Sequence, residues 1–98
     1  MDDLNKIIHE RARLLILTYL ARNEDKGVSF TELKDELGIT SGNLSVQINK
    51  LKEAEYVEIH KSFKDNRPLT SITITPQGLN SLNSYFEEME KIINSLKE

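Results

Sequence analysis

Between Ser41 and Glu53 the chain sets amides, hydroxyls and an ammonium group along one side of what reads as a helix. Leu44, Ile48 and Leu51 recur at i, i+4 and i+7 and line one face. Opposite them, at about 100° per residue, lie Gly42, Asn43, Val46, Asn49, Lys50 and Glu53. Side chains this short and amide-rich suit an edge that offers donors and acceptors together. Asn and Gln can pair with adenine, Lys with guanine or phosphate, and an exposed aliphatic such as Val46 with the thymine methyl. A merely solvated helix more often carries Lys and Glu there. Two readings stand at this level, an ordinary surface helix and a helix that reads bases. On the second, Asn43, Val46, Gln47, Asn49 and Lys50 meet base edges or nearby phosphate. Thr40, Ser41 and Ser45 then suit backbone phosphates at the helix start, where free amides point outward.

A second group follows. Lys61, Lys64, Asn66 and Arg67 cluster with Asp65 as the one acid among them. Such a tip can enter a minor groove or grip phosphate, although solvated loops collect the same residues.

Other chemistries find less support. His9 and His60 are the only histidines and stand far apart, and cysteine is absent. That leaves no set with metal-ligand spacing and no thiolate nucleophile. Glu87, Glu88 and Glu90 read as a solvated face, and the scattered glycines form no phosphate loop. No enzymatic activity, metal or cofactor is expected.

The chain has 98 residues, 38% hydrophobic and 30% charged, as expected of one soluble domain. No apolar run is long enough to span a bilayer, no export signal opens the sequence, and the lack of cysteine fits the cytoplasm. The net charge of −3 argues against nucleic acid, since most small DNA-binding domains are basic. The charge is uneven, however. Residues 41–76 form the only net-positive block, and local field rather than total charge governs contact with phosphates.

The elements that must position these groups follow from pattern. Residues 3–21 read as one helix with apolar positions on more than one face, and Asp2 and Asp3 suit its N-terminus. Val28-Ser29 reads as a short strand. Ser29-Phe30-Thr31-Glu32 matches a capping box; the helix it opens turns Phe30, Leu33 and Leu37 inward, and Gly38 stops it with Ile39 packing back. From Tyr56 to Phe63 the period becomes two, with Val57, Ile59 and Phe63 on one face; Leu69 to Thr75 repeats it, and residues 64–68 form the tip between. Thr75-Pro76 caps a last helix running to about Leu96. There Leu79, Leu82, Phe86, Met89, Ile93 and Leu96 make an a/d seam that Tyr85 and Ile92 widen. An apolar stripe of that length marks an interface, and self-association is its expected use, with core packing the alternative.

Helix, capped helix, glycine turn, reading helix, hairpin and long helix together resemble the winged helix-turn-helix transcriptional regulators of bacteria and archaea, nearest the MarR and ArsR groups. The likeness covers roughly residues 11–79. It rests on Arg13-Leu14-Leu15-Ile16-Leu17 with Leu20, Phe30-Thr31-Glu32-Leu33, Gly42-Asn43-Leu44-Ser45, Leu51 through Val57, Arg67-Pro68 with Thr70, and Thr73 through Gly78. The expected fold is mainly α with a small β-hairpin, a winged helix with long N- and C-terminal helices. It is expected to form one domain over 1–98, with its core at about 11–79 and a dimerisation helix at 80–98. The resemblance implies duplex DNA as partner, bound by a homodimer whose interface uses Leu4, Ile7 and Ile8 with Leu82, Tyr85, Phe86, Met89, Ile92, Ile93 and Leu96. A small-molecule effector stays open. Such regulators usually place glycine where Glu55 stands, which implies a looser or shifted turn into the wing. A winged-helix module that binds protein and not DNA is the alternative, and it would explain the acidity.

Overall fold

The computed structural model describes residues 4–97. Seven elements follow in order: α1 (Arg11–Arg22), β1 (Val28–Ser29), α2 (Phe30–Leu37), α3 (Ser41–Glu53), β2 (Val57–Lys64), β3 (Arg67–Ile74) and α4 (Pro76–Lys97). The mainly helical α+β class expected from the sequence is the one present. The sheet is antiparallel in the order β1-β3-β2, so the two-residue β1 closes the hairpin's inner edge.

The first helix departs from expectation. It begins at Arg11 and not at residue 3, because two side chains take over the backbone amides ahead of it. Asn5 Oδ1 accepts from the N–H groups of Ile7 and Ile8. Glu10, itself extended, caps α1 by accepting from Ala12 and Arg13. Polar side chains of this kind compete with helix continuation. Burial pushes the Glu10 carboxyl up, but the N–H groups of Arg13 and Ala12 and the charges of Arg13 and Lys50 outweigh it and leave it below the ordinary range. Asp2 and Asp3 lie outside the described residues.

Ile16, Leu17 and Leu20 of α1, Leu33 of α2, Leu44, Ile48 and Leu51 of α3, and Ile72 of β3 meet in one core with Leu82 and Tyr85 of α4. Each fully buried Leu or Ile contributes about 1.5–3 kcal/mol. The capping box at α2 is only half formed. Ser29 Oγ accepts from the N–H of Glu32, whereas the Glu32 carboxylate accepts from the Tyr19 hydroxyl at 2.5 Å. That bond, with some desolvation and the Glu32 and Glu36 charges, pushes the Tyr19 phenol up to about 12.

Two junctions fix α3 and the hairpin against the rest. At its end, the N–H of Tyr56 donates to the Leu51 carbonyl and that of Glu55 to Lys52, a Schellman arrangement with Glu55 left-handed at φ 65°. The turn is therefore neither loose nor shifted for want of glycine. Thr75 seals it from the other side: its N–H donates to the Tyr56 carbonyl and its hydroxyl to that of Glu55. Thr75 Oγ1 also accepts from the N–H of Gly78, capping α4. Gly78 sits so close that a Cβ there would lie 2.2 Å from the Tyr56 carbonyl oxygen.

Candidate nucleic-acid interface

The start of α3 is set by chemistry that precedes it. Gly38, at φ 62°, ends α2, and the N–H of Ile39 reaches back to the Lys34 carbonyl. Only glycine adopts that backbone without a steric penalty. Two residues on, Thr40 Oγ1 accepts from the N–H of Asn43, while the first-turn amides of Ser41 and Gly42 precede any intrahelical partner. With Leu44, Ile48 and Leu51 buried, the opposite face turns outward. Ser41, Asn43, Ser45, Val46, Asn49 and Lys50 are all exposed, and Val46 is 50% exposed.

Gln47 stands apart from these. It is half-buried, its Oε1 accepts from Arg13 Nη1 at 2.6 Å, and its Nε2 donates to Asn43 Oδ1 at 2.9 Å. Its amide is occupied within the protein at both ends. Arg13, which local pattern placed only on a core helix, thus reaches the outward face of α3 from 34 residues away.

The wing is longer and its tip tighter than expected. Strand pairing runs out to Lys64↔Arg67, leaving Asp65 and Asn66 as a two-residue turn with φ of 52° and 62°. Two positive φ values are what a type I′ hairpin requires, and Asp and Asn tolerate them better than most residues. Cross-strand partners share a face, so Val57/Ile74, Ile59/Ile72, Lys61/Thr70 and Phe63/Pro68 lie on one side and Ser62/Leu69 and Lys64/Arg67 on the other. The first set begins in the core but outruns it. Phe63, expected to point inward, keeps its face but is 77% exposed, because the hairpin projects beyond anything that could cover it.

Between helix and wing lies an open groove of about 340 Å³. Ser45 and Asn49 form one lip, Lys61 and Thr70 the other, and Phe30, Ile48, Ile59 and Ile72 the floor. The groove sets Ser45 and Asn49 of the helix cluster opposite Lys61 of the wing cluster, whereas Lys64 and Arg67 lie at the hairpin tip on its other face. Lys61, Lys64, Asn66 and Arg67 are exposed. Among the described residues, no carboxylate lies within ion-pairing distance of the three cations.

The residues assigned to a dimer interface divide. Ile8, Leu82 and Tyr85 are 0%, 1% and 4% exposed; they belong to the chain's own core and have no surface left for a second copy. Tyr85 also meets His9, with Nδ1 and the hydroxyl 2.8 Å apart. Leu4, Ile7 and Met89 pack partly against that core, and Ile92 is half-buried. Phe86, Ile93 and Leu96 are exposed. An a/d seam has one period whether it faces a core or a partner, so spacing alone merged the two.

A family model described as a winged helix DNA-binding domain matches residues 12–93. The chain belongs to this family. The winged-helix chain is also 33% identical over 92 residues to an uncharacterized protein of Methanocaldococcus jannaschii, covering 94% of its own length and 98% of that protein. Its fold is similar to that of a transcriptional regulator homologue from Pyrococcus horikoshii, at TM-score 0.86 and 26% identity over 94% of this chain and 89% of that one. A MepR mutant from S. aureus bound to an oligodeoxyribonucleotide has the same fold at TM-score 0.67 and 22% identity, over 86% of this chain and 62% of that one. The resemblance read from the sequence therefore holds for family and fold.

Proposed function

We propose that this winged-helix chain is a homodimeric, sequence-specific transcription regulator of the cytoplasm that binds duplex DNA. The observation that carries the reading is the groove shared by α3 and the wing, with Ser45 and Asn49 on one lip and the unpaired Lys61 beside Thr70 on the other, and with Lys64 and Arg67 exposed at the wing tip beyond it. A duplex fits that division. Amides and hydroxyls suit base edges in the major groove, while Lys61, Lys64 and Arg67 suit phosphates or the adjoining minor groove. The family match and the likeness to the Pyrococcus regulator homologue support the same reading.

Phe86, Ile93 and Leu96 give α4 an exposed apolar side, and we assign it, with the partly buried Leu4, Ile7, Met89 and Ile92, to a second copy of the chain. Paired subunits then present two reading helices to successive major grooves, with half-site centres about 34–36 Å apart.

Selection from random duplex DNA at two salt concentrations tests the proposal. An enriched near-palindrome is expected, with binding that weakens by a log–log slope of about 0.9 per phosphate neutralised. Met89→Glu and Ile93→Glu are expected to sediment as monomers and to lose cooperative binding to the full site. The exposed Phe63 and Val46 favour a second reading, docking of a protein on the wing and α3. Absence of salt-sensitive duplex binding would decide for it.

A further inference from the structure

The outward amides of α3 are not equivalent, because Asn43 ends a chain of hydrogen bonds with a fixed direction. Arg13 Nε donates to the Ile7 carbonyl at 2.5 Å, and its Nη1 donates to Gln47 Oε1 at 2.6 Å. Gln47 Nε2 donates in turn to Asn43 Oδ1 at 2.9 Å. The direction cannot reverse. A guanidinium has donors and no acceptor, so the Gln47 atom it meets must be the carbonyl oxygen. Gln47 then turns its nitrogen to Asn43, and Asn43 can answer only with its own oxygen. Asn43 is exposed, and the end left for a partner is its NH2 group.

We infer that Arg13 and Gln47 are positioning residues that present Asn43 as a hydrogen-bond donor, so that the base it selects is guanine and not adenine. The inference rests on the DNA-binding reading above. The usual asparagine grip on adenine needs both ends of the amide on one base edge, the oxygen accepting from N6 and the nitrogen donating to N7. Here the oxygen is turned along the helix to Gln47. A lone NH2 group instead matches the guanine edge, where N7 and O6 are both acceptors. Gln47 thereby leaves the set of direct base contacts and acts through its neighbour.

The polarity can be inverted without changing shape. In Gln47→Glu the side chain still offers Arg13 an oxygen, but it now offers a second oxygen to Asn43. Asn43 must then give its NH2 group to Glu and show its oxygen outward, where donors are wanted: cytosine N4 or adenine N6. Gln47→Met keeps the length and removes the instruction altogether.

Selection of randomised duplexes by the full chain tests this, with Asn43→Ala locating the position concerned. The expected result is guanine at that position for the wild type, enriched roughly five- to tenfold. Gln47→Glu is expected to move the preference there to cytosine or adenine, and Gln47→Met to flatten it, with the other positions unchanged. Adenine at that position in the wild type overturns the inference and leaves the DNA reading intact. So does an Asn43→Ala protein with unaltered preferences, or guanine retained by either Gln47 variant. If one Gln47 variant does not fold, the other decides. A wild-type chain that binds no duplex overturns the inference and the reading together.

Discussion

The contact between Gly78 and Tyr56 makes a prediction whose sign is opposite to the ordinary one. A glycine inside a helix is usually improved by alanine, by about 1 kcal/mol. At Gly78 the added Cβ would lie 2.2 Å from the Tyr56 carbonyl oxygen and 3.0 Å from its C and Cα. These are backbone atoms and cannot rotate aside. Ordinary contact begins near 3.4 Å, so α4 or the Tyr56 peptide must retreat by about 1 Å in an interior that is already close-packed. That carbonyl accepts from the N–H of Thr75 at 3.0 Å, so the retreat also weakens the junction. Overpacking costs about 1–3 kcal/mol and the lost bond about 0.5–1.5 kcal/mol, offset by the helix-propensity gain. Gly78→Ala is therefore expected to destabilise by about 2 kcal/mol, lowering Tm by roughly 8–16 °C for a chain of this size. Urea and thermal denaturation followed by circular dichroism give both quantities. Gly42→Ala is the control, since nothing lies within 4 Å of its added Cβ; it is expected to be neutral or mildly stabilising. A Gly78→Ala protein as stable as its parent would refute the reasoning.

Three further outcomes follow from other junctions. Glu55→Gly relieves a left-handed residue worth about 1–2 kcal/mol against about 0.5–1 kcal/mol of added chain freedom, so a net gain of up to about 1.5 kcal/mol is expected in urea titration. Glu10→Gln weakens the cap of α1 and is expected to cost about 1 kcal/mol. Because the Glu10 pKa is lowered on folding, its contribution is fully present above the unfolded carboxylate value and is lost as pH falls through the folded one; the variant's stability curve should close on the parent's in that acid window. Tyr19 is expected to ionise near 12, and Glu32→Gln to bring its titration in ultraviolet absorbance back toward the ordinary tyrosine range. Folding keeps the Tyr19 proton, so stability from this pair is full below the unfolded tyrosine value and declines as pH rises from there toward 12.

What could be read from the sequence was mostly local. Ser29, Gly38 and Thr75 announce helix ends because caps act within three or four residues. Leu44, Ile48 and Leu51 announce a face because a helix repeats at a fixed angle. The break before α1 was hidden because Glu10, a less usual cap, sits in an unbroken apolar rhythm from Leu4 to Leu20. Glu55 is visible in the sequence as standing where glycine is usual, but the closed turn it adopts was hidden because Thr75, twenty residues later, holds it. Phe63 obeys the alternation of its strand; only the distance to which the hairpin extends beyond the core exposes it. The largest omission in the site was Arg13, whose bond to Gln47 joins two elements that no local rule connects.

The proportions of α4 have a consequence of their own. At about 1.5 Å per residue its 22 residues span about 33 Å, yet its buried residues are Gly78, Leu82 and Tyr85, all in the first half. The molecule is drawn out to 57 Å along one axis against 25 and 21 Å along the others. Past Met89 the helix has almost none of the tertiary packing from which a segment of that length takes its stability. Its distal turns therefore open more readily than its packed first half, and a partner that covered them would add to their helicity by mass action. On the proposed dimer, amide exchange there is expected to slow as protein concentration rises. In such a dimer, the C-terminal half of α4 would serve as a built-in gauge of assembly.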